Sequence, residues 1–295
     1  MRGLTRACLA EGGEFAREAD GRFSVWRRRE FPLSDALQAV ELHRAVMDGA
    51  TAAGRVYKRG ERTQVTVCRL DTGRSVCVKA YLRERLIERL KDLLRVRRRA
   101  RKAWIAHQGL RVRGIPAAGA LALLEAHGVL PGVADYLIAE AVAEEGTLTE
   151  VSGRDMPERP SRPVLNPGPE MRREIALAVG DLFRSLADQR VRHADMKGTN
   201  MLVGRASGGV RLWLVDLDRV EFDRAWARED WERLLAMCDA SLGSGASMSA
   251  RMRCLRRCGR GLWSPQERMS IARSVRDRAA PVRARWDARQ PPSTP

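Results

Sequence analysis

From Arg55 onward, apolar and polar residues alternate with a period of two. The alternation runs through Val56-Tyr57-Lys58, then Gln64-Val65-Thr66-Val67-Cys68, then Ser75-Val76-Cys77-Val78-Lys79-Ala80-Tyr81, with a turn at Asp71-Thr72-Gly73. Period two is the signature of a half-buried strand, and these three runs predict an antiparallel meander. Leu121 to Glu125 and Tyr136 to Glu140 add two more strands, separated by turn residues at His127-Gly128 and Pro131-Gly132. The expected sheet therefore has five strands. Before it, residues 1 to 50 show one helix, Ser34 to Met47, with Leu37, Val40 and Val46 available to a core. They form an N-terminal extension in which no chemistry is visible.

Helical periodicity dominates elsewhere. Leu82 and then Leu86, Leu90, Leu93 and Leu94 recur at helical spacing along Arg83 to Lys102, whose other positions are mostly basic; such a helix either rests on an anionic membrane surface as a peripheral contact or closes the small lobe with its arginines solvated. A second helix is expected from Arg98 to about Arg111, stopped by Gly114-Ile115-Pro116. The stretch from Ser152 to Pro169 is broken by Pro157, Pro160, Pro163, Pro167 and Pro169 and reads as a boundary with a long loop. After it, Glu170 to Arg190 is the clearest helix, with Ile175, Val179, Leu182, Phe183 and Leu186 on one stripe. Met201-Leu202-Val203 and Val210 to Val215 predict a hairpin turned at Gly204 to Gly209. Asp230 to Ala240 is helical, and the arginine-rich remainder is expected to be anchored by Trp231, Leu235, Leu255, Leu262 and Trp263, with fraying from Arg289. The division that follows is an extension over 1–50, a sheet-bearing lobe over 51–143 and a mostly helical lobe over 144–295.

Composition narrows the partners without choosing among them. A formal charge of +17 on 295 residues draws the chain toward nucleic acid, a phospholipid surface or an acidic glycolipid. Nothing resembles an aromatic stacking platform or a zinc finger, so nucleic acid is not expected as a partner. Only Lys58, Lys79, Lys91, Lys102 and Lys197 are lysines among 54 basic residues, which makes each lysine informative. The six cysteines are scattered, and Cys254-x-x-x-Cys258 lacks the second pair that a zinc site needs. No apolar run reaches the roughly 18 residues of a membrane span, and Glu11 and Glu14 interrupt any leader core, so a cytoplasmic protein is expected.

Chemistry concentrates in His193-Ala194-Asp195-Met196-Lys197-Gly198-Thr199-Asn200 and in Asp216 after the second hairpin strand. His-x-Asp with an Asn five residues past the Asp, followed by another Asp after an apolar strand, fits the catalytic loop and metal-binding acid of kinases. Phosphoryl transfer needs one carboxylate to accept the substrate's hydroxyl proton, and an Asn and a second carboxylate to hold Mg²⁺ on the nucleotide phosphates. Upstream, Val-Cys-Val-Lys79 matches the strand lysine that meets the α- and β-phosphates; a solvated strand-end lysine is the alternative. The connection Arg59-Gly60-Glu61-Arg62-Thr63 stands where a phosphate-covering loop would, yet has one glycine and also fits an ordinary hairpin loop.

With these parts in order, the chain resembles the protein-kinase-like superfamily. Within it, Val78-Lys-x-Tyr81, Ala100-Arg-Lys-Ala-Trp104, Arg113-Gly-Ile-Pro116 and Leu214-Val-Asp-Leu-Asp-Arg219 resemble the bacterial lipopolysaccharide kinases that act on Kdo or heptose of the inner core. The resemblance covers roughly Arg55 to Asp239. It implies an α+β, bilobal protein-kinase-like fold with a five-stranded antiparallel N-lobe and a mostly helical C-lobe. It also implies ATP and Mg²⁺ as cofactors, Asp195 as catalytic base and Lys197 near the transferred phosphate. Asn200 and Asp216 would sit on the metal, and Lys79, Arg59, Gly60 and Glu140 at the nucleotide. The implied partner is lipopolysaccharide core or a related glycolipid, at the inner face of the cytoplasmic membrane. Two alternatives share the fold: a kinase of a soluble small molecule of the aminoglycoside or choline type, and a nucleotide-binding pseudokinase. The second is favoured by Ala103, which stands where the family pattern places the glutamate that pairs with the strand lysine; Glu84 or Glu88 could substitute. His193 is expected to brace the loop, while Asp218 has no assigned role.

Overall fold

The computed structural model describes residues 8–82, 99–127, 134–143, 146–153, 166–206, 208–243 and 245–288. The chain divides into two compact units, one made of Met1–Val112 with Ala118–Val142 and the other of Arg113–Ala117 with Ala143–Pro295.

The first unit is built on an antiparallel sheet of seven strands, not the five expected. In chain order they are β1 (Phe15–Ala19), β2 (Phe23–Arg28), β3 (Gly54–Arg59), β4 (Thr63–Arg69), β5 (Ser75–Leu82), β6 (Ala120–Ala126) and β7 (Ala134–Glu140), arranged β1-β2-β6-β7-β5-β4-β3. The two additional strands come from the N-terminal segment. Arg and Glu at the solvated positions of an edge strand mask its alternation, as in Phe-Ala-Arg-Glu-Ala over β1. One local signal was present: Asp20-Gly21 makes the turn, with Gly21 at φ 79° and Asp20 Oδ1 accepting from the backbone N–H groups of Arg22 and Phe23.

Period-two alternation sends the two faces of this sheet to two cores. Phe23, Val25, Val76, Val78, Leu124, Tyr136 and Ile138 meet α1 (Leu33–Met47) through Ala36, Ala39, Val40 and Val46. On the other face Trp26, Tyr81, Leu123 and Leu137 meet α2 (Arg99–Val112) through Ala100, Ala103 and Trp104. Of the expected basic helix Arg83 to Lys102, only the last four residues are described, and they begin α2; 83–98 lie outside the described residues. The turns at Gly128 and Pro131-Gly132, most of the proline-rich stretch and the chain from Arg289 lie outside them too.

The second unit carries a hairpin, β10 (Met201–Ala206) with β11 (Gly209–Leu214), joined through β10 to the short β8 (Gly146–Thr147). A two-residue ladder pairs β9 (Arg192–His193) with β12 (Val220–Glu221). Around these stand α3 (Leu148–Val151), α4 (Pro169–Asp188), α5 (Arg228–Leu242), α6 (Met248–Cys258) and α7 (Pro265–Asp287). The α4 stripe of Ile175, Val179, Leu182, Phe183 and Leu186 is buried throughout, as an amphipathic helix requires. Trp231, Leu235 and Leu255 are core residues; Leu262 is not, being 46% exposed in the turn between α6 and α7, where no helical face carries it inward.

Two consequences can be measured. Phe23 is fully packed in the α1-side core, so Phe23→Ala should cost about 3–5 kcal/mol in urea unfolding. Arg22→Ala next to it should stay within about 0.5 kcal/mol, and equal small effects would show that β1 and β2 are dispensable. The second concerns acid. Burial pushes His43 and His107 down to about 4 from 6.5, so the unfolded chain binds their protons first. Stability should therefore be full above pH 6.5 and fall as pH drops toward 4; His43→Gln and His107→Gln should each flatten that loss. A wild-type stability that is unchanged between pH 7.5 and 4.5 would contradict the burial of these rings.

Candidate active site

The second unit's loop begins at Val191, whose carbonyl accepts from Trp226 Nε1 at 3.0 Å; Trp226 in turn stacks edge-on with Trp231, and Trp231 with Trp263. His193 pairs with Val220 across the β9–β12 ladder, and Ala194 N–H donates to the Arg219 carbonyl at 3.1 Å. The Asp-Leu-Asp-Arg segment after β11 thus forms the other wall of the loop. His193 is buried, and its Nδ1 lies 3.2 Å from the backbone N of Asp195. A backbone N–H can only donate, so Nδ1 must be the unprotonated acceptor and the imidazole is neutral. Burial, which lowers its pKa, agrees with this assignment. A ring so committed shapes the turn and has no proton to trade at Nδ1.

Asp195 follows, partly exposed. Lys197 Nζ is 3.0 Å from its Oδ2, and Asn200 Nδ2 is 2.8 Å from its carbonyl and 3.3 Å from Oδ2. Lys197 N–H also donates to the Asp195 carbonyl, at 3.0 Å. The loop closes into a 3-10 turn, Gly198–Asn200, as Asn200 N–H reaches the Lys197 carbonyl at 2.9 Å. At Gly198 the chain passes so close to α3 that an added Cβ would fall 2.4 Å from Thr149 Oγ1, which only glycine avoids. Its N–H donates to Ser241 Oγ of α5 at 2.6 Å, and the Ser241 hydroxyl donates to the Cys238 carbonyl at 2.6 Å. Ser241 was not singled out from the sequence, because one serine inside a helix carries no signal before its partner is known.

Asp216 arrives by the hairpin. Val215 N–H donates to the Asn200 carbonyl at 3.0 Å, and Leu214 N–H to Pro116 at 3.0 Å, so both residues before Asp216 are held. Asp216 itself takes the left-handed conformation, φ 61° and ψ 52°, which costs most residues about 1–2 kcal/mol and Asp less. Both hydrogen bonds of the Asn200 side chain run through Nδ2, so Oδ1 is the atom with lone pairs to offer a cation, while the backbone carbonyl of the same residue is held by Val215, next to Asp216. An amide oxygen and a carboxylate are the hard donors that suit Mg²⁺ when phosphate oxygens and water complete the shell. Among the described residues no group of three or more His, Cys, Asp or Glu side chains could hold a metal without such help.

The first unit holds the remaining residues. Lys79 lies on β5 between Val65 and Leu137, its Nζ 4.9 Å from the Tyr81 ring. Alternation puts Lys79 and Tyr81 on the face covered by α2. There Ala103 is fully buried, and one turn later His107 donates from Nδ1 to the Ala118 carbonyl at 2.6 Å. Burial, together with the charge of Lys79, keeps His107 neutral. Glu84 and Glu88 lie outside the described residues. Arg59 donates to the Met47 carbonyl at the end of α1, and Gly60 N–H to Thr63 at 3.2 Å, which makes a tight hairpin end. Glu140 closes β7, its carboxylate 3.1 Å from Arg74 and its N–H on the Gly119 carbonyl.

Residues 50–249 match the lipopolysaccharide kinase (Kdo/WaaP) family. The chain belongs to that family. It is therefore a kinase, and as a lipopolysaccharide kinase it uses ATP. Among solved structures it is similar to WaaP in complex with acyl carrier protein, at 22% identity over 86% of this chain and 95% of that one, with a TM-score of 0.56. It also matches the Rio2 kinase of Chaetomium thermophilum in its ADP/Mg²⁺-phosphoaspartate complex, at 13% identity over 93% and 84% of the two chains and a TM-score of 0.42. An apo pseudokinase matches at 14% identity over 81% and 87%, with a TM-score of 0.43. No curated protein sequence matches.

One test isolates the α5 contact. Ser241→Ala leaves the buried Gly198 N–H without an acceptor, which should cost about 1–3 kcal/mol of stability and lower kinase turnover. Unaltered unfolding and unaltered turnover would mean that the Ser241 bond does not hold the loop.

Proposed function

We propose that this lipopolysaccharide kinase transfers the γ-phosphoryl group of ATP to a hydroxyl of an inner-core sugar, Kdo or heptose, at the cytoplasmic face of the membrane. The observation that carries the reading is the Asp195 carboxylate, held partly open with Lys197 and Asn200 on it. Asp195 is the group that takes the sugar hydroxyl's proton as that oxygen attacks phosphorus. Lys197 lies 3.0 Å from the same carboxylate and so meets negative charge as it grows on the transferred phosphoryl. Asn200 and Asp216 are the residues to hold Mg²⁺, which when bound offsets charge on the nucleotide phosphates. Lys79 is assigned to the α- and β-phosphates, with Arg59, Gly60 and Glu140 as further nucleotide contacts. Of these three, Arg59 and Glu140 already have partners, in Met47 and Arg74, so they are the ones that must rearrange to serve ATP.

Ala103 favours a second reading, in which nucleotide is bound and not used, because a buried methyl cannot pair with Lys79. The same experiment separates the two. Purified protein is given γ-labelled ATP, Mg²⁺ and core glycolipid lacking inner-core phosphate, and label is followed into the sugar. Asp195→Asn should abolish transfer while leaving Mg-ATP binding within about twofold, since this carboxylate meets the hydroxyl and not the metal. Asp216→Asn should weaken Mg-ATP binding itself. Transfer by Asp195→Asn at the wild-type rate removes the base assignment, and binding without transfer by the wild type supports the second reading.

A further inference from the structure

The helices that follow the catalytic unit's hairpin carry charge and apolar surface that phosphoryl transfer does not use. On α6, 3.6 residues per turn places Leu255 and Cys258 on a buried side. That side packs tightly on α4, where a Cβ on Gly180 would fall 2.7 Å from Arg257 Cβ and 2.9 Å from the Cys254 carbonyl. Ser249, Arg253 and Arg256 are exposed away from that side, Met248 is exposed as the first residue of the helix, and Arg260 follows just past its end. The acids nearby are already committed. Asp181 is paired with Arg257, Asp188 with Arg184, and Asp239 with both Arg251 and Arg283. Arg253, Arg256 and Arg260 are exposed and have no carboxylate within ion-pair distance among the described residues.

A second, independent feature falls on the same stretch. Among the described residues four large apolar side chains are exposed, and three of them, Met248 at 66%, Leu262 at 46% and Met269 at 48%, lie within residues 248–269. Unpaired arginines could be a solvated face and nothing more, and single exposed apolar residues are common. The two together, on one helix and the turn after it, make the mixed surface that suits the headgroup and acyl boundary of an anionic bilayer. Nucleic acid fits less well, because the exposed apolar groups are methionine and leucine and offer no ring for a base to stack on.

We infer that α6 and the α6–α7 turn form a docking surface for anionic phospholipid, with Arg253, Arg256 and Arg260 on the headgroups and Met248 and Leu262 entering the boundary. This rests on the reading that the acceptor is a membrane-held glycolipid, for which such a surface delivers the enzyme to its substrate. Each arginine at an anionic surface contributes about 1 kcal/mol, so removing three predicts a loss of roughly 100-fold in vesicle partitioning, and at least about tenfold if other basic segments share the load. The contact is electrostatic and should weaken as salt rises.

The experiment is vesicle co-sedimentation of the full chain with phosphatidylglycerol and with phosphatidylcholine at low salt. Wild type is compared with the triple variant Arg253→Gln, Arg256→Gln, Arg260→Gln, with Met248→Ser plus Leu262→Ser, and with a charge-matched control, Arg69→Gln, Arg173→Gln, Arg233→Gln. Every variant is also assayed for phosphate transfer to a water-soluble, deacylated core oligosaccharide. The inference predicts salt-sensitive binding to phosphatidylglycerol that the first two variants lose and the control keeps, with transfer to the soluble acceptor unchanged in all. If the first triple variant binds as wild type does, or the control loses as much, the surface is misplaced. If wild type ignores phosphatidylglycerol, the docking surface and the membrane location fail together. The kinase reading is judged apart from both, by the soluble acceptor: it fails only if wild type leaves that sugar unphosphorylated.

Discussion

The loop and the hairpin acid of the second unit are joined by one side-chain amide. Asn200 Nδ2 reaches back five residues to the Asp195 carbonyl and to its Oδ2, while the Asn200 carbonyl accepts from Val215, one residue before Asp216. A single residue therefore ties the acid of the loop to the acid of the hairpin. The amide also divides its own labour: its nitrogen is spent on the loop, so its oxygen is the part left for a metal. Aspartate could not replace it, because a carboxylate has no N–H to give the Asp195 carbonyl. The supports behind it are of the same kind, each a backbone group satisfied by a specific partner, such as Ser241 under Gly198 and Arg219 under Ala194.

Burial keeps the histidine behind that arrangement neutral. His193, between the loop and the Asp-Leu-Asp-Arg turn, accepts from Asp195 N–H and stays neutral; a second proton would have to displace a backbone hydrogen bond. In the first unit His107 is neutral for the same reason, near the lysine assigned to nucleotide. The face of α2 that meets β5 has an alanine where a carboxylate is expected and, one turn on, a histidine that cannot supply negative charge. Whatever anchors Lys79 electrostatically does not come from Ala103 or His107.

How much was legible in the sequence follows from where each signal resides. Strands β4 and β5 follow from period-two runs and β3 from a weaker one, while β6 and β7 follow from short continuous apolar runs bounded by turn residues, as strands buried on both faces require. Lys79, Asp195, Asn200 and Asp216 are singled out by spacing, and their roles are those proposed above. Strand β1 was not legible, since an edge strand with Arg and Glu at its solvated positions looks like a polar segment; β2, which lies inside the sheet, has only Phe23, Val25 and Trp26 as a signal before Arg27-Arg28-Arg29 breaks it, and the Asp-Gly turn between the two strands was the cue. Ser241, Thr149 and His107 act through single tertiary contacts that no local pattern encodes. Leu262 shows the converse: an apolar residue near a tryptophan reads as core, yet a tight turn between α6 and α7 turns it outward.

The central claim is that this chain, through Asp195, places phosphate on the inner core of lipopolysaccharide. Mass spectrometry of core glycolipid from the source bacterium tests it most directly, with the gene intact, deleted, and restored as wild type or as Asp195→Asn. The account predicts that deletion removes the mass of one phosphate from an inner-core sugar, that wild type restores it and that Asp195→Asn does not. Core glycolipid of identical mass in all four strains would contradict it.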